Sequence, residues 1–180
     1  MLLAAACSRT TTPPPVEPTV APSLDVDPWN QEAKGILSDV LQTLRTFDDF
    51  QAFRVSTATD SNMRLASELV WDAPTSAAWD EATHVTRGVH GRAEQLFNVV
   101  TSARIDPNLW RSQRALADAT HDLLDLGDVL GAYRDRVDAL PLGDASAALP
   151  LLNKAWAQWD VAAARWGISR SELIGASTGG

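Results

Sequence analysis

Leu109, Leu116, Leu123, Leu130 and Val137 stand seven residues apart, and Ser112, Ala119, Leu126, Tyr133 and Leu140 follow each of them by three. Two positions three apart that return every seven residues fall on one stripe of an α-helix, the seam of a coiled-coil-like bundle. A half-buried strand needs alternation with period two and cannot use this spacing. A helix with one continuous oily seam is stable only when other helices cover it, since most helical stability in water comes from packing.

Three further stretches supply those partners. After Asp27-Pro28, which reads as an N-cap with Pro at the first helical position, the residues Trp29, Ala33, Ile36, Val40, Leu44 and Phe47 recur at spacings of four and three. They predict a helix of about five turns, with Phe50 and Phe53 as its extension. Residues 61–71 read as a short helix or an irregular segment, and Pro74 is expected to break or kink the chain. A second long helix is predicted over 75–104, with Ala78, Ala82, Val85, Val89, Ala93, Leu96, Val100 and Ala103 on its stripe. Gly88 and Gly91 inside it cost roughly 1 kcal/mol each relative to Ala, which points to a close helix contact or a local bend. Asp106-Pro107 repeats the cap signal ahead of the heptad helix, and Pro141 and Gly143 are expected to stop that helix.

The fourth helix, 145–166, presents Ala148, Leu152, Ala155, Trp159, Ala162 and Trp166, large Trp alternating with small Ala. Gly167 reads as its terminator, 169–176 as one more turn and 177–180 as a tail. No segment sustains period-two alternation. The expectation is an all-α fold: an antiparallel four-helix bundle over 27–176, with a short extra helix or irregular segment between its first and second helices.

The formal charge is −8, with a pI near 4.7. A surface of that sign repels nucleic acid phosphates and anionic lipid headgroups, so neither is expected as a partner. Lysine occurs only at 34 and 154, the remaining basic residues being Arg. The single cysteine, Cys7, can form no internal disulfide, and a zinc site needs several ligands.

Cys7 takes its meaning from its position. Residues 1–7 read Met-Leu-Leu-Ala-Ala-Ala-Cys, an apolar run that ends in small residues directly before the cysteine. This resembles the lipobox of bacterial lipoproteins, in which the cysteine sulfur is diacylated and the chain is cleaved just before it. The family usually has Leu three places before the cysteine; here that place is Ala4, with Leu3 one earlier. The run is shorter than the roughly 7–15 residues of a signal-peptide core and has no positive flank, as expected if the start codon lies upstream of Met1. Residues 8–26 contain Thr10 to Thr12, Pro13 to Pro15, Pro18 and Pro22, a composition that favours an extended spacer. The resemblance implies a signal-peptide remnant at 1–6, a lipidated Cys7, a Pro/Thr-rich tether at 7–26 and a domain held in the bacterial cell envelope. Two acyl chains would anchor it firmly where one would not.

Candidate chemistry in the helical part is sparse. Glu81 and His84, and Asp118 and His121, are two three-residue offsets of the kind that di-iron bundles point into their cores. Here helical projection turns His84 away from its stripe and places His121 at an outward heptad position, so solvated faces are expected. Asp118, His121, Asp122, Asp125 and Asp128 share the outer face of the heptad helix, where a straight row diverges rather than converging on a cation. His90 flanks the second helix's stripe with no evident partner. Trp71, Trp79, Trp110 and Trp156 lie off their stripes or near helix ends and are candidates for partner contact. No phosphate-cradling glycine loop or zinc-protease motif is present. No cofactor and no catalytic activity are expected. The reading is a membrane-anchored lipoprotein that binds or scaffolds another envelope protein, the alternative being a bundle that carries a small ligand or metal in an internal cavity.

Overall fold

The computed structural model describes residues 25–59, 73–139 and 146–177. Among the described residues there are five α-helices: α1 (Asp27–Thr59), α2 (Ala73–Ser102), α3 (Trp110–Ala139), α4 (Leu149–Arg165) and the short α5 (Arg170–Ser177). The first four form an antiparallel bundle. Trp79 near the start of α2 packs on Phe47 and Phe50 near the end of α1, while Arg92 further along α2 reaches back to Glu32 and Asp39. The expected segment at 61–71 and the proposed stop at Pro141 and Gly143 lie outside the described residues.

Local signals explain most helix ends. Asp106 caps a single 3-10 turn, Pro107–Leu109, its carboxylate accepting from the Asn108 amide at 2.8 Å before the chain runs on into α3. At the start of α1 the accepting carboxylate is Asp25 rather than the predicted Asp27: its Oδ1 takes the Asp27 amide at 3.3 Å. The helix continues to Thr59, 33 residues, well beyond the five turns expected. Pro74 does not break the chain before α2; it lies in the first turn of that helix, where a missing amide hydrogen costs nothing. After α4, Gly167 adopts a φ of 66°. The Gly167 amide then donates to the Ala164 carbonyl and the Ile168 amide to the Ala163 carbonyl, closing the last carbonyls of α4. Ser169 and Glu172 cap α5 reciprocally: the Ser169 amide donates to Glu172 Oε2 at 2.7 Å and the Glu172 amide donates to Ser169 Oγ at 3.3 Å.

The core is built mainly from the predicted stripes, although Ala78 of the α2 stripe is exposed and Trp29, Val85 and Ala103 are only half-buried. Ala33, Ile36, Val40, Leu44 and Phe47 meet Val89, Ala93, Leu96 and Val100, Leu123, Leu126, Leu130 and Tyr133, and Leu152, Ala155, Trp159 and Ala162, all buried. The seam of α3 is fully buried only from Ala119 onward; Leu116 is half-buried and Ser112 exposed, so its first turns extend past the covering helices.

Tryptophans fix α4 in register. The indole N–H of Trp159 donates to the Leu37 carbonyl of α1 at 2.9 Å, and that of Trp166 donates to the Ala119 carbonyl of α3 at 3.1 Å. Each buried ring therefore carries a satisfied polar atom, which is what allows Trp into a core.

The close approach expected at Gly88 or Gly91 occurs elsewhere. A β-carbon on either would meet nothing within 4 Å, whereas one on Gly127 of α3 would stand 3.1 Å from the backbone nitrogen and Cα of His90. The missing side chain that lets α2 and α3 touch belongs to α3.

Candidate functional site

The metal-type pairs are held on open surface. Glu81 and His84 on α2 and Asp118 and His121 on α3 are exposed, and the nearest acidic partner of His121 is Asp125 on its own helix, 3.6 Å away. Among the described residues no group of three or more His, Cys, Asp or Glu side chains converges in a way that could hold an ion.

The carboxylate row of α3 is not one uniform face. Asp122 turns toward α4, its side chain only 15% exposed, with Oδ2 2.8 Å from Arg165 Nε in an ion pair that lacks hydrogen-bond alignment. Asp128 turns toward α2 and pairs with Nδ1 of His90 at 2.9 Å. His90 thus has a partner that no sequence offset could reveal, because it comes from the neighbouring helix. Asp118 and Asp125 alone keep to the outer face as expected.

On the opposite flank of α2, Arg92 bridges two α1 carboxylates, with Nε 2.9 Å from Glu32 and Nη1 2.6 Å from Asp39. Burial works against its charge, but the hydrogen bonds to Glu32 and Asp39 outweigh that and hold its pKa above the ordinary arginine value.

The four candidate tryptophans have different fates. Trp71 lies outside the described residues. Trp79 is half-buried against Phe47 and Phe50, with ring centroids 5.2 and 4.2 Å away. Trp156 is half-buried, donates to Asp48 Oδ2 at 3.0 Å, and lies beneath the guanidinium of Arg170 at 4.6 Å. Trp110 is the large side chain left open, 67% exposed at the first residue of α3.

Trp110, a predicted partner-contact residue, stands at a corner among arginines that its own position in the sequence did not single out. The end of α2 is pinned there by Gln113, whose Nε2 donates to the Val100 and Ala103 carbonyls at 2.7 and 3.0 Å. Those carbonyls lack intrahelical donors at a helix end, so one side chain of α3 closes α2 and fixes the turn. Trp110 and Arg114, four apart on α3, line a shallow depression with Thr101, Gln113 and Ala117. Arg104 and Arg111 stand exposed at the same turn. Among the described residues none of these three arginines has a carboxylate partner, whereas Arg92, Arg134, Arg165 and Arg170 all do. The available signal was three Arg within the eleven residues 104–114, around a Trp, and the net charge of −8 conceals it.

No protein-family profile matches this chain, and no curated protein or solved structure matches it. Among the described residues no helix is long and apolar enough to cross a membrane.

Proposed function

We propose that this chain is the exported part of a bacterial lipoprotein, tethered at Cys7, whose helical bundle binds or scaffolds another protein of the cell envelope. The observation that carries the reading is Cys7 itself: the only cysteine of the chain, preceded by Leu2, Leu3 and three alanines and followed by a run rich in Pro and Thr. A thiol so placed has a clear use as an acyl acceptor, and a Pro-rich spacer after it would set a domain at a distance from the lipid.

The bundle suits a binding role better than an internal carrier role. Trp159, Tyr133, Phe47 and a set of leucines fill the space between the four helices, where a carrier would need a chamber. The surface carries ion pairs across the α1–α2, α2–α3 and α3–α4 seams and aromatic rings at its edges, the elements from which protein contacts are made.

The test is expression of the full gene in a bacterial host followed by detergent phase separation. The chain is expected in the detergent phase, and Cys7→Ser is expected to move it to the aqueous phase. A wild-type chain found in the aqueous phase would overturn the lipoprotein reading.

A further inference from the structure

We infer that the Trp110 corner is a membrane-facing surface, and that the end of the bundle carrying Arg104, Arg111 and Arg114 rests on an anionic bilayer. The inference deepens the lipoprotein reading and rests on it for the identity of the surface.

The geometry begins with where the chain enters the bundle. Because the helices run antiparallel, the start of α1 at Asp27, the end of α2 at Ser102 and the start of α3 at Trp110 lie at one end. Any anchor at Cys7 is connected through the 19 residues that lead to Asp27, so that end is the one nearest the lipid along the chain. The opposite end, where α1 runs out and α4 begins, is farther away by the length of the bundle. With 30 residues in each of α2 and α3, that length is about 45 Å.

Charge favours the same arrangement. The net −8 argues against an anionic surface only if the whole molecule is felt at once. At physiological ionic strength charges are screened beyond about 8 Å, a small fraction of the bundle length, so the lipid responds to the nearest groups. At the α2–α3 turn those are Arg104, Arg111 and Arg114, all exposed and free of carboxylate partners among the described residues, against Asp106 alone; Asp25 and Asp27, exposed at the start of α1, are the other carboxylates of this end, so the excess of positive charge is confined to the turn. Among the described residues Arg45, Arg87 and Arg136 also lack an ion pair, but they lie elsewhere on the bundle, Arg87 beside Asp128 and Asp135.

The aromatic residues match as well. Trp110 is the most exposed large apolar side chain among the described residues, and Trp29, half-buried, occupies the first turn of α1 at the same end. Indole rings prefer the headgroup layer, where an apolar body and a polar N–H are both accommodated. The spacer sets how far the bundle can stand from the lipid, but it also keeps the bundle within that reach, so the local concentration of the surface stays high and even a weak contact is favoured.

The full chain's one cysteine supplies the test. The purified, unlipidated protein is coupled through Cys7 to maleimide-headgroup lipid in two sets of vesicles, one of phosphatidylcholine alone and one with phosphatidylglycerol added. Tryptophan fluorescence is then quenched with lipids carrying a shallow nitroxide. Quenching is expected in the anionic vesicles and should be largely lost in Trp110→Phe. The uncoupled Cys7→Ser chain is expected to bind anionic vesicles weakly. Replacing Arg104, Arg111 and Arg114 together with Gln should lower that binding by at least about tenfold, while the same change at Arg45, Arg87 and Arg136 has little effect. Unchanged quenching in Trp110→Phe, or equal losses from the two triple variants, would overturn the proposal. A chain that stands off both kinds of vesicle would also overturn it and would leave the corner to a protein partner. These measurements need no cellular lipidation, so they fail independently of the phase-separation experiment.

Discussion

The guanidinium of Arg92 lies over Gly35, its Nη2 3.1 Å from where a β-carbon on that glycine would stand. Glu32, Gly35 and Asp39 share one face of α1, so the missing side chain leaves a floor across which Arg92 reaches both carboxylates. The clamp ties the first half of α1 to the second half of α2.

Gly35→Ala sets two small effects against each other. Alanine in a helix interior gains about 1 kcal/mol over glycine. The new methyl must push Arg92 aside by a few tenths of an ångström, which weakens ion pairs that are about one-third to one-half exposed and hence worth under about 1 kcal/mol each. In wild type the gain should therefore be less than about 1 kcal/mol, while in an Arg92→Ala background the full gain should appear. Chemical denaturation of the four proteins of this cycle measures the difference. Equal gains in both backgrounds would show that Gly35 and Arg92 do not interact.

Gly127 and Gly131 lie four apart on α3 and should respond in opposite directions. A β-carbon at 127 would press at 3.1 Å on the backbone of His90, which cannot swing away as a side-chain tip can. Overpacking of that kind costs about 1–3 kcal/mol, more than the roughly 1 kcal/mol gained in helix propensity. At 131 nothing lies within 4 Å, so the propensity gain stands alone. Gly127→Ala should lower the melting temperature by a few degrees and Gly131→Ala raise it by about as much, given roughly 2–4 °C per kcal/mol for a chain of this size. A stabilised Gly127→Ala would mean that α2 and α3 are not in contact there.

What could be read in advance follows from the range of the forces involved. The stripes of α1, α2, α3 and α4 were legible because burial depends on periodicity along one helix, and Trp159 or Leu126 needs no knowledge of its partner to be assigned inward. The Asp106 cap and the Gly167 stop were legible because donor and acceptor lie within a few residues. Asp25 replaced Asp27 as the accepting carboxylate because cap positions differ by one or two residues on energies too small to fix them. The pairs His90–Asp128 and Asp122–Arg165, and the contact at Gly127, depend on the axial rotation of neighbouring helices, which no single-helix projection contains. The Trp110 corner was concealed for a different reason: summing charge over the chain erased a local excess of arginine.

Acid should loosen α5 before the bundle. The Glu172 carboxylate accepts from the Ser169 amide and the Ser169 hydroxyl, at 2.7 and 2.9 Å, and these bonds hold its pKa below the ordinary value of 4.5. A depressed folded-state pKa contributes stability that is present above 4.5 and lost as the pH falls through the lower folded value. Below that window the cap is protonated and the first turn of α5 loses its acceptor. The consequence reaches α4, because Arg170 at the head of α5 lies over the rings of Trp156 and Trp159, 4.6 and 5.2 Å from their centroids, and pairs with Asp160 at 2.8 Å. Release of Arg170 should therefore change tryptophan emission in a step below pH 4.5, ahead of global unfolding followed by circular dichroism. Glu172→Gln, which keeps the shape but not the charge, should weaken the cap at neutral pH and remove the step. A step of unchanged size and midpoint in that variant would assign the acid response to another group.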